Sequence, residues 1–97
     1  MSKDDILNCL GKLKRELEQQ FGVVSIGLFG SAVREEIHED SDIDIAIEMA
    51  PEKKSLRNFL AVKRLLENEL GKRVDLGIEG TLKPLVKKEI QKEIIHV

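Results

Sequence analysis

The sequence has few of the residues that mark secreted, disulfide-linked or membrane-spanning proteins. Its single cysteine, Cys9, excludes an internal disulfide and a cysteine-based metal site, and the apolar residues spaced around it predict a small core residue. No apolar run is long enough to cross a membrane, and the opening residues, MSKDD, lack the apolar stretch of a signal peptide. We therefore expect a cytoplasmic protein with no membrane association.

The chain also has little net charge and few aromatic residues. Its 16 basic and 18 acidic residues give a formal charge of -2, so no overall electrostatic attraction for a nucleic acid is expected. The composition, 41% hydrophobic with three aromatics that are all Phe, predicts one globular domain over residues 1–97 with a small core. A domain of this size buries only about 60 to 65% of its unfolded surface, so its stability can depend on a partner chain.

A glycine-serine pair after an apolar run is the first candidate binding element. The residues from Val23 to Phe29 are β-branched and apolar, which predicts a buried strand that ends in a tight turn at Gly30. Ser31 suits the N-cap of a short helix that runs through Arg34. The free N–H groups and positive dipole end of such a helix would attract an anion, and a phosphate is the predicted one.

Two aspartates after the turn are the second candidate element. Asp42 and Asp44 alternate with isoleucines in SDIDIAIE, the pattern of a half-buried strand, so both carboxylates are expected on one face. Same-face neighbours on a strand are about 6.6 Å apart along the chain, close enough to share a metal. Because two carboxylates would repel each other without a cation, the pattern predicts a site for Mg²⁺, which prefers oxygen ligands.

Helix signals flank these elements. Ser2 and Asp5 have the spacing of a capping box, which predicts a first helix that ends before Gly22. Ser55 is the predicted N-cap of a second helix, which covers the sheet and ends at Gly71.

The last quarter of the chain predicts a third strand and a third helix. Alternation over Arg73–Ile78 predicts the strand and places Asp75 on its polar face. Pro84 is expected to open a helix whose apolar stripe reaches Ile94, with His96 in a frayed tail. The predicted sheet then has an apolar face and an open face of small and acidic residues. The apolar face comprises Val24, Ile26, Leu28, Ile43, Ile45, Ile47, Val74, Leu76 and Ile78, and the open face comprises Ser25, Gly27, Asp42, Asp44, Asp75 and Gly77.

The chain resembles the nucleotidyltransferase superfamily related to DNA polymerase beta. The resemblance lies in the pair Gly30-Ser31, the ten residues that follow it, the triplet Asp42-Ile43-Asp44 and a later Asp75 on its own strand. The length of the chain, with Arg34 three residues after the serine, makes it similar to the minimal nucleotidyltransferases, the MNT antitoxins that are paired with HEPN-domain toxins. The resemblance covers nearly the whole chain. One departure is Glu35, where many relatives have a glycine, so the loop beyond Arg34 is expected to differ in shape.

The resemblance implies an α/β (α+β) nucleotidyltransferase fold, a small mixed sheet flanked by helices with its apolar face covered and its acidic face open. It also implies Mg-ATP as the donor and transfer of AMP to a tyrosine of a HEPN toxin partner. Gly30 and Ser31 would hold the triphosphate, with Arg34 as a further phosphate contact. Asp42, Asp44 and Asp75 would be the catalytic carboxylates that hold the metals, with Asp75 on the acceptor side.

Each part of the pattern also has an ordinary structural explanation. A lone Gly-Ser is a common turn, a lone Asp-x-Asp occurs on solvated strands, and Arg34 could be a solvated or ion-paired side chain. His38 is expected to be a loop residue rather than a ligand. Two other functions remain open at this point: a non-catalytic antitoxin that only binds its partner, and a nucleotidyltransferase that modifies a small molecule or an RNA.

Overall fold

The computed structural model describes residues 1–34, 36 and 41–97, which form three α-helices and a four-stranded sheet. Three single-turn 3-10 helices, at Gly30–Ala32, Pro51–Lys53 and Glu79–Thr81, join some of these elements. Within the described ranges, no helix is long and apolar enough to cross a membrane. In chain order the main elements are α1 (Lys3–Phe21), β1 (Val23–Phe29), β2 (Ile43–Met49), α2 (Leu56–Leu70), β3 (Val74–Ile78), α3 (Pro84–Gln91) and β4 (Ile95–His96).

The first two helices begin and end where their local signals predict. The Ser2 hydroxyl accepts a hydrogen bond from the Asp5 backbone N–H, and the Asp5 carboxylate accepts one from the Ser2 N–H, so the predicted capping box is present. Ser55 caps α2 in the same way by accepting from the Asn58 N–H. Both helices end at a glycine in the left-handed region, Gly22 and Gly71.

The sheet is mixed and has the strand order β3-β2-β1-β4. β1 runs antiparallel to β2 and to β4, whereas β2 and β3 run parallel to each other. The parallel register sets Asp44 directly beside Asp75. This arrangement confirms the predicted mixed sheet flanked by helices.

The main core lies between one face of the sheet and the two long helices. A β-bulge between Val23 and Ser25 changes which valine faces this core, because the extra residue shifts the alternation. Val23 is 3% exposed and Val24 is 57% exposed, so the prediction that Val24 belongs to the apolar face is wrong. The core comprises Ile6, Leu10, Leu13, Leu17, Val23, Ile26, Leu28, Ala32, Ile43, Ile45, Ile47, Met49, Val62, Leu66, Leu70 and Val74, and Cys9 packs against it as predicted.

The C-terminal segment differs from its prediction. The last helix ends at Gln91, before Ile94, and Ile95–His96 forms a short strand beside Gly27 and Leu28. The predicted frayed tail is therefore wrong, as is the count of three strands. An edge strand two residues long has almost no pattern of its own, and it forms here because β1 offers unpaired backbone groups.

The same segment returns across the second face of the sheet and leaves its acidic end open. A Cβ at Gly27 would come within 2.6 Å of the Ile94 side chain, so Ile94 covers Gly27 and the prediction that this residue lies on an open face is wrong. The Glu48 carboxylate accepts from the Gly80 N–H at 3.1 Å, which ties the start of the segment to β2. Asp75 remains exposed and Asp44 is half-buried at the other end of this face.

Candidate functional site

The chain turns at Gly30 as predicted, but the helical turn there begins two residues earlier than a helix capped by Ser31 would. Gly30 has a φ of 73°, a conformation that favours glycine, and it starts the 3-10 turn Gly30–Ala32. The N–H groups of Val33 and Arg34 both donate to the Gly30 carbonyl, at 3.1 and 3.3 Å. The N-cap position belongs to Phe29 and has no side-chain cap, so the prediction that Ser31 caps this turn is wrong. Ser31 lies half-buried within the turn.

Gly30 also lies against the Asp44 side chain. A Cβ built on Gly30 would overlap the Asp44 Oδ2 atom and would come within 2.9 Å of its Cγ atom. Phe29 is paired with Asp44 across the antiparallel strands, which explains why the next residue in the chain reaches this carboxylate. The glycine is therefore required both by its backbone angle and by the approach of the carboxylate. The turn and the acid predicted separately from the sequence meet here.

Asp44 and Asp75 form the centre of the site. They are register partners on parallel strands, and their side chains lie on the same face. Partial burial, followed by the charges of Asp75 and Asp42 and a hydrogen bond with Asp75, raises the pKa of Asp44, and Arg34 opposes this shift. A raised pKa shows that the surroundings disfavour a negative charge at Asp44, a condition that a bound cation would relieve.

Asp42 occupies a different position from the other two acids. β2 begins at Ile43, so Asp42 lies just before the strand rather than in it as predicted. Its Oδ1 atom is 3.2 Å from the Arg73 Nε atom, and the two side chains are 47% and 76% exposed. An exposed ion pair of this kind contributes little stability, so Asp42 can exchange its partner at low cost.

These carboxylates fit a divalent cation, although the described residues do not form a finished site. Among residues 1–34, 36 and 41–97, no group of three or more His, Cys, Asp or Glu side chains is already arranged to bind a metal. Asp44 and Asp75 supply the facing oxygen ligands that Mg²⁺ prefers. Asp42 is near enough for its charge to raise the pKa of Asp44, and its ion pair with Arg73 is made through the Oδ1 atom, so Asp42 can supply a third oxygen ligand.

Arg34 lies at the site and is held by two acids. Its Nε atom donates to Glu36 at 3.3 Å, and its Nη1 atom donates to both carboxylate oxygens of Glu93, at 3.2 and 3.0 Å. The hydrogen bonds to Glu36 and Glu93 raise the pKa of Arg34. The same Glu93 carboxylate accepts a hydrogen bond from the Gly30 N–H at 3.0 Å. The sequence did not predict Glu93, because it belongs to no local motif and reaches the turn only through the fold.

Two residues for which the sequence analysis made a prediction lie outside the part of the chain that the structure describes. Glu35, which stands where many relatives have a glycine, is one, and His38 is the other. The expectations for both stay predictions.

An open pocket elsewhere on the molecule does not involve the candidate site. It has a volume of about 310 Å³ and is lined by Met49, Lys54, Ser55, Leu56, Phe59 and Ile78. Met49 ends β2, whereas Asp44 is near the start of that strand. None of the predicted site residues lines the pocket, so we place the site at the carboxylates and the Gly30 turn.

Comparisons with known proteins identify the family of this chain. The family model described as the nucleotidyltransferase domain matches residues 10–97. A relative in Thermococcus cleftensis, the protein adenylyltransferase MntA, is 40% identical over 97 residues, which cover 100% of this chain and 97% of the relative.

Solved structures have the same fold. A structure assigned as a minimal nucleotidyltransferase has a TM-score of 0.81 and 32% identity, over 98% of this chain and 95% of the other. A toxin-antitoxin complex with AMP-PNP has a TM-score of 0.70 at 21% identity and covers 99% and 72% of the two chains. A tri-AMPylated Shewanella oneidensis HEPN toxin in complex with an MNT antitoxin has a TM-score of 0.69 at 21% identity and covers 97% and 70%. The family match and the full-length relative show that this chain belongs to the nucleotidyltransferase domain family, which confirms the resemblance to the minimal nucleotidyltransferases.

Proposed function

We propose that this chain transfers AMP from Mg-ATP to a tyrosine of a HEPN toxin and thereby acts as its antitoxin. The observation that carries the proposal is the facing pair Asp44 and Asp75 beside the glycine turn. This pair combines oxygen ligands for a cation with an adjacent turn for a phosphate. Metal-assisted transfer of a phosphoryl or nucleotidyl group needs both features at one place.

The nucleotide would bind along the open acidic end of the sheet. The Gly30–Ala32 turn and the Ser31 hydroxyl would hold the β and γ phosphates, with Arg34 as a cationic contact. Asp44 and Asp75, joined by Asp42, would hold Mg²⁺, which neutralises charge on the attacking and leaving oxygens when it is bound. The turn and the carboxylates would together place the α-phosphorus between them.

The reaction forms one P–O bond and breaks another. The acceptor hydroxyl oxygen attacks the α-phosphorus, the bond from the α-phosphorus to the oxygen that bridges to the β-phosphorus breaks, and pyrophosphate leaves. Asp75 is exposed and lies on β3, an edge strand of the sheet, so an incoming protein side chain can approach it. Asp75 would accept the proton of the acceptor hydroxyl.

The choice of a protein acceptor rests on the relatives. The Thermococcus relative is named a protein adenylyltransferase, and its 40% identity extends over the full chain. The two complexes that share the fold contain a toxin and an antitoxin, one with AMP-PNP and one with an AMPylated HEPN toxin. These names support ATP as the donor and a HEPN toxin as the acceptor.

The test removes the metal-binding carboxylates and keeps the docking surface. Asp42→Asn with Asp44→Asn leaves the apolar core intact, so the double variant should fold and should still co-purify with its toxin partner. With Mg-ATP, intact mass spectrometry should show added AMP on the partner with the native chain and none with the variant. Co-expression should show that only the native chain restores growth.

A matched control removes two exposed carboxylates at the opposite end of the sheet from Asp44. Glu18 lies in the last turn of α1, just before β1 begins, and Glu52 follows the end of β2. Glu18→Gln with Glu52→Gln should modify the partner like the native chain. Growth protection by the Asp42 and Asp44 double variant, with an unmodified partner, would mean that the chain neutralises by binding alone. Such a result would refute the enzymatic proposal.

A further inference from the structure

Glu93 reaches the glycine turn from the opposite end of the chain. Pairing of β1 with β4 sets Gly27 opposite His96 and Leu28 opposite Ile95. Glu93 lies in the turn between α3 and β4, and its Oε1 atom accepts the Gly30 N–H at 3.0 Å. The pairing of β4 with β1 therefore brings this turn, and with it the carboxylate, to Gly30.

One carboxylate thus holds both parts of the proposed phosphate site. Besides the Gly30 N–H, Glu93 accepts from Arg34 through both of its oxygens, at 3.2 and 3.0 Å. The Glu93 side chain is 29% exposed and that of Arg34 is 50% exposed. Glu36, on the Nε side of the guanidinium, is 61% exposed. Glu93 is therefore the better-buried of the two acids that orient Arg34.

The orientation of Arg34 matters because the acid pair is close. Arg34 belongs to the turn that lies against Asp44, since its backbone N–H donates to the Gly30 carbonyl and Gly30 contacts the Asp44 carboxylate. An unrestrained Arg34 would be attracted to the Asp44 and Asp75 carboxylates and would compete there with a cation. Bonds to Glu93 keep the guanidinium beside the turn.

We infer that Glu93 is a positioning residue, which holds the Gly30 turn and the Arg34 guanidinium in the arrangement that binds the triphosphate. This role rests on the function proposed above. Glu93 touches neither of the facing aspartates in the described contacts, so it acts through Gly30 and Arg34. It should affect nucleotide affinity rather than the rate of transfer at saturating ATP.

The test compares Glu93→Gln with the matched control Glu89→Gln. Glutamine keeps an acceptor for the Gly30 N–H but loses the charge that holds Arg34, whereas Glu89 pairs only with Lys92 on the exposed surface among its described contacts. Calorimetry with Mg-ATP should give a dissociation constant about threefold higher for Glu93→Gln, since partly exposed ion pairs contribute modestly. Glu93→Ala also removes the Gly30 acceptor and should weaken binding about tenfold. Glu89→Gln should bind like the native chain.

Two further measurements separate positioning from a general loss of structure. In an Arg34→Ala background, Glu93→Gln should have little additional effect, because the two residues act as a unit. The turnover number at saturating ATP should stay near the native value while the KM for ATP rises. Thermal melting shows whether each variant folds. If Glu93→Ala does not fold, the conclusion rests on Glu93→Gln, because glutamine has nearly the same shape as glutamate.

Other outcomes would overturn the inference. Tighter nucleotide binding in Glu93→Gln would show that the carboxylate competes with the phosphates for the turn. Unchanged affinity and KM would show that the contact does not affect the site. A native chain that neither binds Mg-ATP nor transfers AMP would refute the proposed function itself. An active native chain with an equally active Glu93→Gln variant would refute only the role of Glu93.

Discussion

Replacing Gly30 by alanine tests how closely the glycine turn and the catalytic carboxylate depend on each other. The added Cβ would overlap the Asp44 Oδ2 atom and would lie 2.9 Å from its Cγ atom, so rotation of the carboxylate alone cannot relieve the clash. The whole carboxyl group must move away. Gly71→Ala is a matched control, because Gly71 has a similar φ of 66° but its Cβ would meet nothing within 4 Å.

The structure sets the expected size of each effect. An alanine in the left-handed region costs about 1 to 2 kcal/mol, and both variants carry this cost. Forcing Asp44 out of its rotamer should cost about 1 kcal/mol more, for Gly30→Ala only. In a domain of this size each kcal/mol lowers the Tm by about 4 to 8 °C, so both variants should melt below the native chain. Function should separate them, since a displacement of about 1 Å at a catalytic group can lower the rate on the order of 100-fold.

The assay measures AMP transfer to the partner by intact mass, with melting temperatures recorded by circular dichroism. Gly71→Ala should lose stability and keep its activity, whereas Gly30→Ala should lose both. Helical content should be native in each folded variant, because neither glycine lies inside an α-helix. If Gly30→Ala transfers AMP at the rate of Gly71→Ala, the contact between the turn and Asp44 has no catalytic importance and the proposed site is wrong.

Two further predictions concern charge and packing. Asp44→Asn should raise the Tm of the nucleotide-free protein at pH 7, because the raised pKa of Asp44 means that its negative charge opposes folding. The difference in Tm between the variant and the native chain should shrink as the pH falls through that pKa, because the native Asp44 then becomes protonated. A pH-independent difference in Tm would contradict this cause. Val23→Ala should cost about 2 kcal/mol of unfolding free energy and Val24→Ala less than about 0.5, as the bulge places only Val23 in the core. Equal losses in urea titrations would argue against the bulge.

Features determined by neighbouring residues could be predicted from the sequence. The capping box at Ser2 and the cap at Ser55 depend on residues three positions away, and both were confirmed. The bounds of β1 and the shared face of Asp44 and Asp75 followed from alternation, which a strand imposes residue by residue.

Features determined by distant parts of the chain could not be predicted. The sequence VVSIGLF begins with two adjacent valines, and only the pairing with β2 decides that Val23 faces the core. The apolar spacing of α3 continues to Ile94, although the chain leaves the helix after Gln91 to pair with β1. Glu93 was missed for the same reason, since its contact with Gly30 spans 63 residues of sequence.

The turn at Gly30 lies between two carboxylates that the fold treats differently. β2 brings Asp44 to one side of β1, and the segment before β4 brings Glu93 to the other. Glu93 is neutralised by Arg34 and by the Gly30 N–H, and such charge-assisted bonds fix its position. Asp44 instead faces the like charge of Asp75, which raises its pKa. Glu93 therefore stabilises the structure of the turn, whereas Asp44 keeps an unfavourable charge that a cation would stabilise.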